Sequence, residues 1–324
     1  MVLFALFIAG LLMWSNFNHF ISTPASKSKR LVTVTIPEGS SFRNVARALR
    51  DKGVISDDFR FTIMARVLGL TRSVQAGDYE FNLAMTPRQV LDDLVHGRVR
   101  LITVTIPEGF TMVDVANRLE RLEITSAEGF LELARNPDTA RSLTISGDTL
   151  EGYLFPDTYK FKKASPPERV IRTMVRRWEN AMAPFEEQIG ENELSVNEIM
   201  TLASIVEKET SVKEEKPLVA AVFINRLKRN MRLAADPTVI YGISDFDGNL
   251  TKNHLTTDTP YNTYTRAGLP PGPIANPGLD SILAVLNPAD TEYLFFVSRN
   301  DGTHAFSTNY KTHREAVRKY QQKK

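Results

Sequence analysis

The heptapeptide TVTIPEG occurs twice, at residues 33–39 and again at 103–109. An identical run commits both neighbourhoods to the same local fold, because the strand and turn chemistry it carries is the same. In each copy the β-branched letters read as a strand, Pro-x-Gly as a turn, and the following segment as a helix with a hydroxyl near its start. The continuations SSFRNVARALRDKGVI and FTMVDVANRLERLEIT match in pattern. Ser41 and Thr111 are the candidate N-caps. Val45 with Leu49, and Val115 with Leu119, recur at i, i+4 and mark the buried face of each helix. Between the copies, AGDYEF and MTPRQVLDDLVHG read as another strand and helix. Glu38 and Glu108 lie in turns beside glycine and read as solvated loop carboxylates. This half is predicted to be a small α/β module that packs or holds, with no constellation of reactive groups.

The amino terminus opens on MVLFALFIAGLLMW, and the uncharged SNFNHFIS extends the run. Its length, about 22 residues, is close to the roughly 20 needed to span a bilayer. A single membrane anchor is therefore expected over residues 1–22, followed by a linker over 23–30. A cleaved signal peptide is the alternative, but no basic residue precedes the apolar run and no A-x-A site follows it. Lys27, Lys29 and Arg30 come after the span, which by charge alone leaves the body in the cytoplasm.

Composition narrows the chemistry. The 324 residues, 42% hydrophobic and 24% charged, describe a globular chain with room for two or three domains. A net charge of +2 without a basic run interleaved with aromatics argues against nucleic acid as partner. There is no cysteine, which removes disulfides, thiolate metal sites and thiol nucleophiles. His19, His96, His254, His304 and His313 show no ligand spacing, so no metal and no cofactor is expected.

From about residue 145 the texture changes. LEGYLFPDTYKF is aromatic and acidic, and helical stretches follow. A run rich in proline and glycine between Asp236 and Gly278 is expected to line a functional cleft. Within the segment SVNEIMTLASIVEKET, Ser195 and Glu198 form a capping box at a helix start. Ile199, Leu202, Ala203 and Val206 lie on one face, with Ile205 at its margin, and Glu209 projects onto the same side. Glu207 projects across the helix and Lys208 toward solvent. Desolvation raises a carboxyl pKa and fits it for general acid work. The competing reading is a frayed helix end with Glu209 on the surface, and helical phase alone leaves both open.

EGYLFPDTY (151–159), LASIVEKET (202–210), VFINRL (222–227), DPTVIYG (236–242), YNTY (261–264) and GLPPGPIANPG (268–278), in this order, resemble the endolytic murein transglycosylase (YceG-like) family. The resemblance implies an α+β protein: an N-terminal transmembrane helix, a LysM-like α/β repeat region over 31–145, and a mainly helical catalytic domain with a loop-rich cleft over 146–324. It implies a single-pass protein of the bacterial inner membrane with its body in the periplasm, over the local charge rule. The activity implied is non-hydrolytic cleavage of the MurNAc-β-1,4-GlcNAc bond, leaving 1,6-anhydroMurNAc ends and limiting nascent strand length. The implied partners are peptidoglycan strands, the cytoplasmic membrane and peptidoglycan synthases. A glycan-binding scaffold without activity and a hydrolytic muramidase are the competing readings.

Relatives carry a catalytic Glu-Ser pair, and Glu209-Thr210 matches it, which makes Glu209 the expected acid and then base. One carboxyl suffices where the substrate assists. Tyr153, Phe155, Tyr159, Tyr261 and Tyr264 are candidates for stacking on sugar, with core packing as the alternative for each. Asn225, Arg226, Asn262, Thr263 and Asn276 are candidates for holding sugar hydroxyls, and Tyr261-Asn262 is similar to a cleft motif of related enzymes. Asp157 and Asp236 are candidate second acids or substrate contacts, with turn roles as the alternative. Where relatives carry Gln two positions before the DPT aspartate, this chain has Ala234.

Overall fold

The computed structural model describes residues 2–321. Met1, at the start of the expected anchor, and residues 322–324, at the end of the basic C-terminal segment, lie outside the described residues. The chain divides into two compact units, residues 1–102 with 160–163 and residues 103–159 with 164–324.

The first unit runs α1 (Val2–Ser22), β1 (Leu31–Ile36), α2 (Phe42–Asp51), α3 (Asp58–Val67), β2 (Gly77–Asn82) and α4 (Pro87–His96). The first heptapeptide forms most of β1, which pairs antiparallel with β2 from Leu31 opposite Asn82 to Ile36 opposite Gly77. Alternation turns Val34 and Ile36 inward, onto Val45 and Leu49 of α2, Phe61 of α3, and Tyr79 and Phe81 of β2. Ser41 caps α2 by accepting from the Asn44 N–H at 3.3 Å, as its position predicts. Thr86 and Gln89 form a capping box at the head of α4.

α1 corrects the expected anchor: among the described residues, no helix is long and apolar enough to cross a membrane. The helix has 21 residues, but Ser15, Asn16, Asn18 and His19 interrupt its second half. The apolar part ending at Trp14 is roughly 20 Å long, short of the roughly 30 Å hydrocarbon core. The second half instead belongs to the globular body. Phe20 is buried in the core of this unit, with Phe17 and Ile21 packed against it. The first half is bare: Leu3, Phe4, Leu6, Phe7, Leu12 and Trp14 are exposed.

The second unit begins with the second heptapeptide, in β3 (Ile102–Thr105). It continues through α5 (Met112–Arg121), α6 (Ala127–Ala134), α7 (Pro137–Ser142) and β4 (Thr158–Phe161), which pairs with β3. Both copies of the repeat thus build a strand, helices and a closing strand, with two helices in the first copy and three in the second. Thr111 caps α5 in a capping box with Asp114, and Val115 and Leu119 are buried as their spacing predicts. The remaining elements are α8 (Pro167–Met182), α9 (Glu186–Gly190), α10 (Val196–Glu209), α11 (Lys216–Lys228), α12 (Asp236–Tyr241), α13 (Lys252–Thr256), α14 (Leu279–Leu286), β5 (Phe295–Ser298), β6 (His304–Ser307) and α15 (Tyr310–Tyr320). α10, α11 and α14 pack on one another, and β5 and β6 form a hairpin with Phe295 opposite Ser307. The sheets of this mixed fold are all two-stranded among the described residues. Of the loop-rich run, residues 273–278 thread through the interior of the unit, all of them buried.

Candidate active site

α10 starts where the sequence predicts it. Ser195 accepts from the Glu198 N–H, and Glu198 reaches back to the Ser195 N–H at 2.9 Å. From Ile199 to Val206 every residue is buried, so between its first and last turns the helix has no solvent face. Its polar members are satisfied internally. The Thr201 hydroxyl donates to the Asn197 carbonyl at 2.6 Å, and Ser204 Oγ donates to the Thr201 carbonyl and accepts from the Ile274 N–H at 3.0 Å. A loop buried this deeply has backbone donors that water cannot reach, and α10 supplies acceptors for them.

Glu207 is one of those acceptors. Its Oε2 takes the Gly278 N–H at 3.0 Å and the Ser281 hydroxyl at 2.6 Å. The same oxygen pairs with Lys216 Nζ at 3.1 Å, the two side chains being only 9% and 5% exposed. The peripheral position expected for Glu207 is therefore corrected. α11 and α14 cover the side of α10 that phase alone assigns to solvent, and Glu207 joins all three helices. Lys208 does face solvent.

Glu209, the last residue of α10, is in a different state. It is partly buried, and its carboxyl makes no hydrogen bond or ion pair with the described residues. Burial, and then the Asp236 carboxylate, push its pKa up to about 7, while the Arg226 guanidinium works in the opposite direction. A carboxyl in that range holds a proton for part of the time near neutrality and can both give and take one.

Its neighbours are held by the fold. Asp236 opens α12 and accepts from the Tyr264 hydroxyl at 2.5 Å. Arg226 is fixed by its own donors, Nε to the Leu294 carbonyl at 2.7 Å and Nη1 to the Leu233 carbonyl at 2.5 Å, with Phe295 5.4 Å beneath the guanidinium. Asn225 donates to the carbonyls of Thr291 and Tyr293 at 2.7 and 3.0 Å, which ties α11 to the segment before β5. Burial first, then Asp236 and Glu209, raise the Tyr264 pKa, so the phenol stays a donor. Glu209, Asp236, Arg226 and Tyr264 thus form one electrostatically coupled group.

The other sequence candidates are distributed elsewhere in this unit. Tyr153 is buried edge-on to Trp178, 5.0 Å between centroids, and its hydroxyl donates to Asn197 Oδ1 at 3.1 Å. Phe155 is buried beneath Arg177, and the Tyr159 hydroxyl donates to the Phe155 carbonyl at 2.5 Å. Asp157 binds Arg177 Nε at 2.5 Å and the Thr158 N–H at 2.6 Å. Asn262 is buried, its amide donating to the carbonyls of His254, Leu255 and Thr257, and Thr263 Oγ1 accepts from the Ala235 N–H at 3.0 Å. These two hold the loop in shape around Ala234, whose φ of 46° lies in the left-handed region. Tyr261 packs against Tyr241 with the rings tilted and their centroids 4.9 Å apart.

Asn276 leads to a residue that sequence reasoning missed. Its amide accepts from the Leu154 N–H at 2.9 Å and donates to Glu151 Oε1 at 3.3 Å. Glu151 is 1% exposed and accepts from the Met112 N–H at 2.9 Å and the Tyr241 hydroxyl at 3.1 Å. Burial, partly offset by these donors, pushes it up to about 8. The signal available was an acid flanked by apolar residues in LEGYLF, but its partners are distant in sequence. Gly152 beside it is at φ +89°, where a Cβ would come within 2.6 Å of Pro273.

The chain has counterparts among known proteins. Over residues 34–319 the chain matches the model of the YceG-like family. It is 32% identical over 309 residues to the endolytic murein transglycosylase of Bacillus subtilis (strain 168), with 90% of this chain and 86% of that protein covered. It is also 32% identical over 320 residues to the endolytic murein transglycosylase of Streptococcus pneumoniae serotype 2 (strain D39 / NCTC 7466), covering 89% of this chain and 58% of that protein. A crystal structure of a yceG-like protein from Listeria monocytogenes superposes with a TM-score of 0.61 at 32% identity, over 89% of this chain and 99% of that one. With capped α10, the raised carboxyl at its end and this kinship over most of the sequence, the chain belongs to the YceG-like family.

Proposed function

We propose that this chain is a lytic transglycosylase that cuts peptidoglycan strands internally, at the MurNAc-β-1,4-GlcNAc bond, with Glu209 as the working carboxyl. The observation that carries the assignment of Glu209 is its environment: a partly buried acid, free of protein hydrogen bonds and raised to about 7 by burial and Asp236. Protonated Glu209 gives its proton to the leaving oxygen while the 2-acetamido group of the muramic residue supports C1. The carboxylate then takes the proton of that sugar's C6 hydroxyl, whose oxygen attacks C1. One bond is exchanged for another, water is not consumed, and the product ends in 1,6-anhydroMurNAc. Glu207 is not assigned this role, because its carboxylate is taken up by the Lys216 ion pair and two further donors, the Gly278 N–H and the Ser281 hydroxyl.

Arg226 and Tyr264 tune and frame the acid, and Asp236 holds its proton. Among the proposed sugar contacts, Tyr261, Tyr264, Asp236, Asn225 and Arg226 keep accessible surface. Tyr153, Phe155, Asn262, Thr263 and Asn276 act through the walls they build. The β1–α2–α3–β2 unit, in the region expected to be LysM-like, is proposed to grip the glycan. The exposed apolar half of α1 supports attachment to the outer face of the cytoplasmic membrane, with the body in the periplasm beside the synthases that make the strands. Flotation with vesicles of bacterial phospholipid should retain the full chain and release a variant with Leu6, Phe7 and Leu12 replaced by serine.

Mass spectrometry of products from purified glycan strands tests the activity. Anhydro ends are expected. Reducing ends would mean hydrolysis by a muramidase, and uncut strands would mean a binding scaffold.

A further inference from the structure

α8 has two unlike sides. Val170, Ile171, Met174 and Val175 are buried, whereas Arg169, Arg172, Thr173 and Arg176 repeat at helical spacing on the exposed side. That exposed side is concave: with Glu168 of the same helix and Asp157, Thr158 and Tyr159 it lines a cavity of about 770 Å³. Arg177, at its edge, is already engaged, with Nε on Asp157 at 2.5 Å and its guanidinium 5.0 Å over Phe155. Arg169, Arg172 and Arg176 have no ion-pair partner among the described residues.

A charged helix face usually needs no explanation beyond solvation. Here three arginines repeat at i, i+3 and i+7, where like charges repel, and with Arg177 they outnumber the two carboxylates of the same wall, Glu168 and Asp157. They also line a hollow, where field lines concentrate and anions gather. The guanidinium fork matches the two oxygens of a carboxylate, and arginine is the side chain suited to such bidentate capture. Thr173 and Asn180 add neutral polar groups to the same wall.

Resting on the reaction proposed above, we infer that this cleft binds the free carboxylates of the peptide stems carried by the muramic residues of the glycan. A long strand cut internally extends past the reacting bond on both sides, so its stems are available to a surface outside the Glu209 group. The cleft makes peptide-bearing strands better substrates than bare ones, by binding and not by chemistry.

The test uses the full chain, the variant Arg172→Ala/Arg176→Ala, and two substrates: peptide-bearing strands and the same strands stripped of their stems. Both arginines are exposed, and an unchanged melting temperature checks the fold of the variant. The wild type should prefer peptide-bearing strands in kcat/KM, and the variant should lose roughly tenfold of that preference through KM with kcat kept. An unchanged preference would overturn the proposal. A second arm is independent of activity. Free stem tetrapeptide titrated into Glu209→Gln protein should bind and should weaken with added salt and in the arginine variant. No binding, or binding only of a glycerol-phosphate oligomer used as a competing polyanion, would also overturn it. Tetrapeptide binding without any cleavage by the wild type would leave the cleft in place and refute the transglycosylase reading instead.

Discussion

In the first copy of the repeat, Gly39 turns the chain at φ +72° with open space around it. In the second, Gly109 turns it at φ +75° with the side chains of Glu207 and Lys208 against it. Glu38 lies exposed in its turn, whereas partial burial and the Glu207 carboxylate raise the pKa of Glu108, whose nearest cation is Lys216 at 3.9 Å. The N–H of Gly109 donates to the Asn276 carbonyl at 2.9 Å, and the first N–H of α5 is held by Glu151. Identical letters produce the same strand, turn and capped helix in both places. What differs is the company: one copy closes over its own core, and the other is built into the helices that carry Glu209. Local code determines the element, and its surroundings determine whether it serves a reaction.

The strongest test of that contrast lies at the end of α10. Glu209→Gln removes the proton donor with little change in shape and should lower the rate of strand cleavage by about 10²–10⁴-fold, measured as anhydro ends released. The fold should persist, since the Glu209 carboxyl makes no hydrogen bond with the described residues. Glu207→Ala should do the reverse. It leaves Lys216 buried without its partner and the Gly278 N–H without its acceptor, and should cost about 3–5 kcal/mol in denaturant unfolding. Equal loss of stability in both variants would remove the distinction drawn between the two acids.

The next effect is on pH. An ordinary glutamic carboxyl titrates near 4.5, and burial holds Glu151 at about 8. The folded chain therefore keeps a proton that the unfolded chain releases, and this contribution to stability falls as pH rises from about 4.5 to about 8. Glu151→Gln has no such proton, so its melting temperature should decline less over that window than that of the wild type. Parallel curves would place the buried proton elsewhere. The smallest effect concerns the shared code itself. Ser41→Ala and Thr111→Ala should each cost about 1 kcal/mol, read by denaturant unfolding, because each removes the same N-cap. A large inequality would mean that the two helices do not start by the same rule.

Much of the fold was legible because it is local. The strands, the caps at Ser41, Thr111 and Ser195, and the buried pairs at i, i+4 need only a few neighbouring letters. The two acids of α10 were half legible. Periodicity separates faces only where a helix has a wet side, and α10 is buried nearly throughout. Helical phase points Glu209 toward the apolar side, but it misplaces Glu207, whose partners Gly278 and Ser281 lie on a distant loop and helix. Glu151 was invisible for the same reason, its contacts being Met112, Tyr241 and Asn276. In α1 the apolar run was plain. What no local pattern reveals is that its second half turns Phe17, Phe20 and Ile21 into a protein core.

The pH dependence of kcat/KM tests most directly whether Glu209 works as an acid whose pKa is raised by burial and by Asp236. The protonated form reacts, so kcat/KM for strand cleavage should fall above about pH 7 in the wild type. Asp236→Asn removes the neighbouring negative charge, and the falling limb should then move to lower pH. A wild-type profile flat from about pH 5 to 8, or a limb that stays in place in Asp236→Asn, would contradict that role.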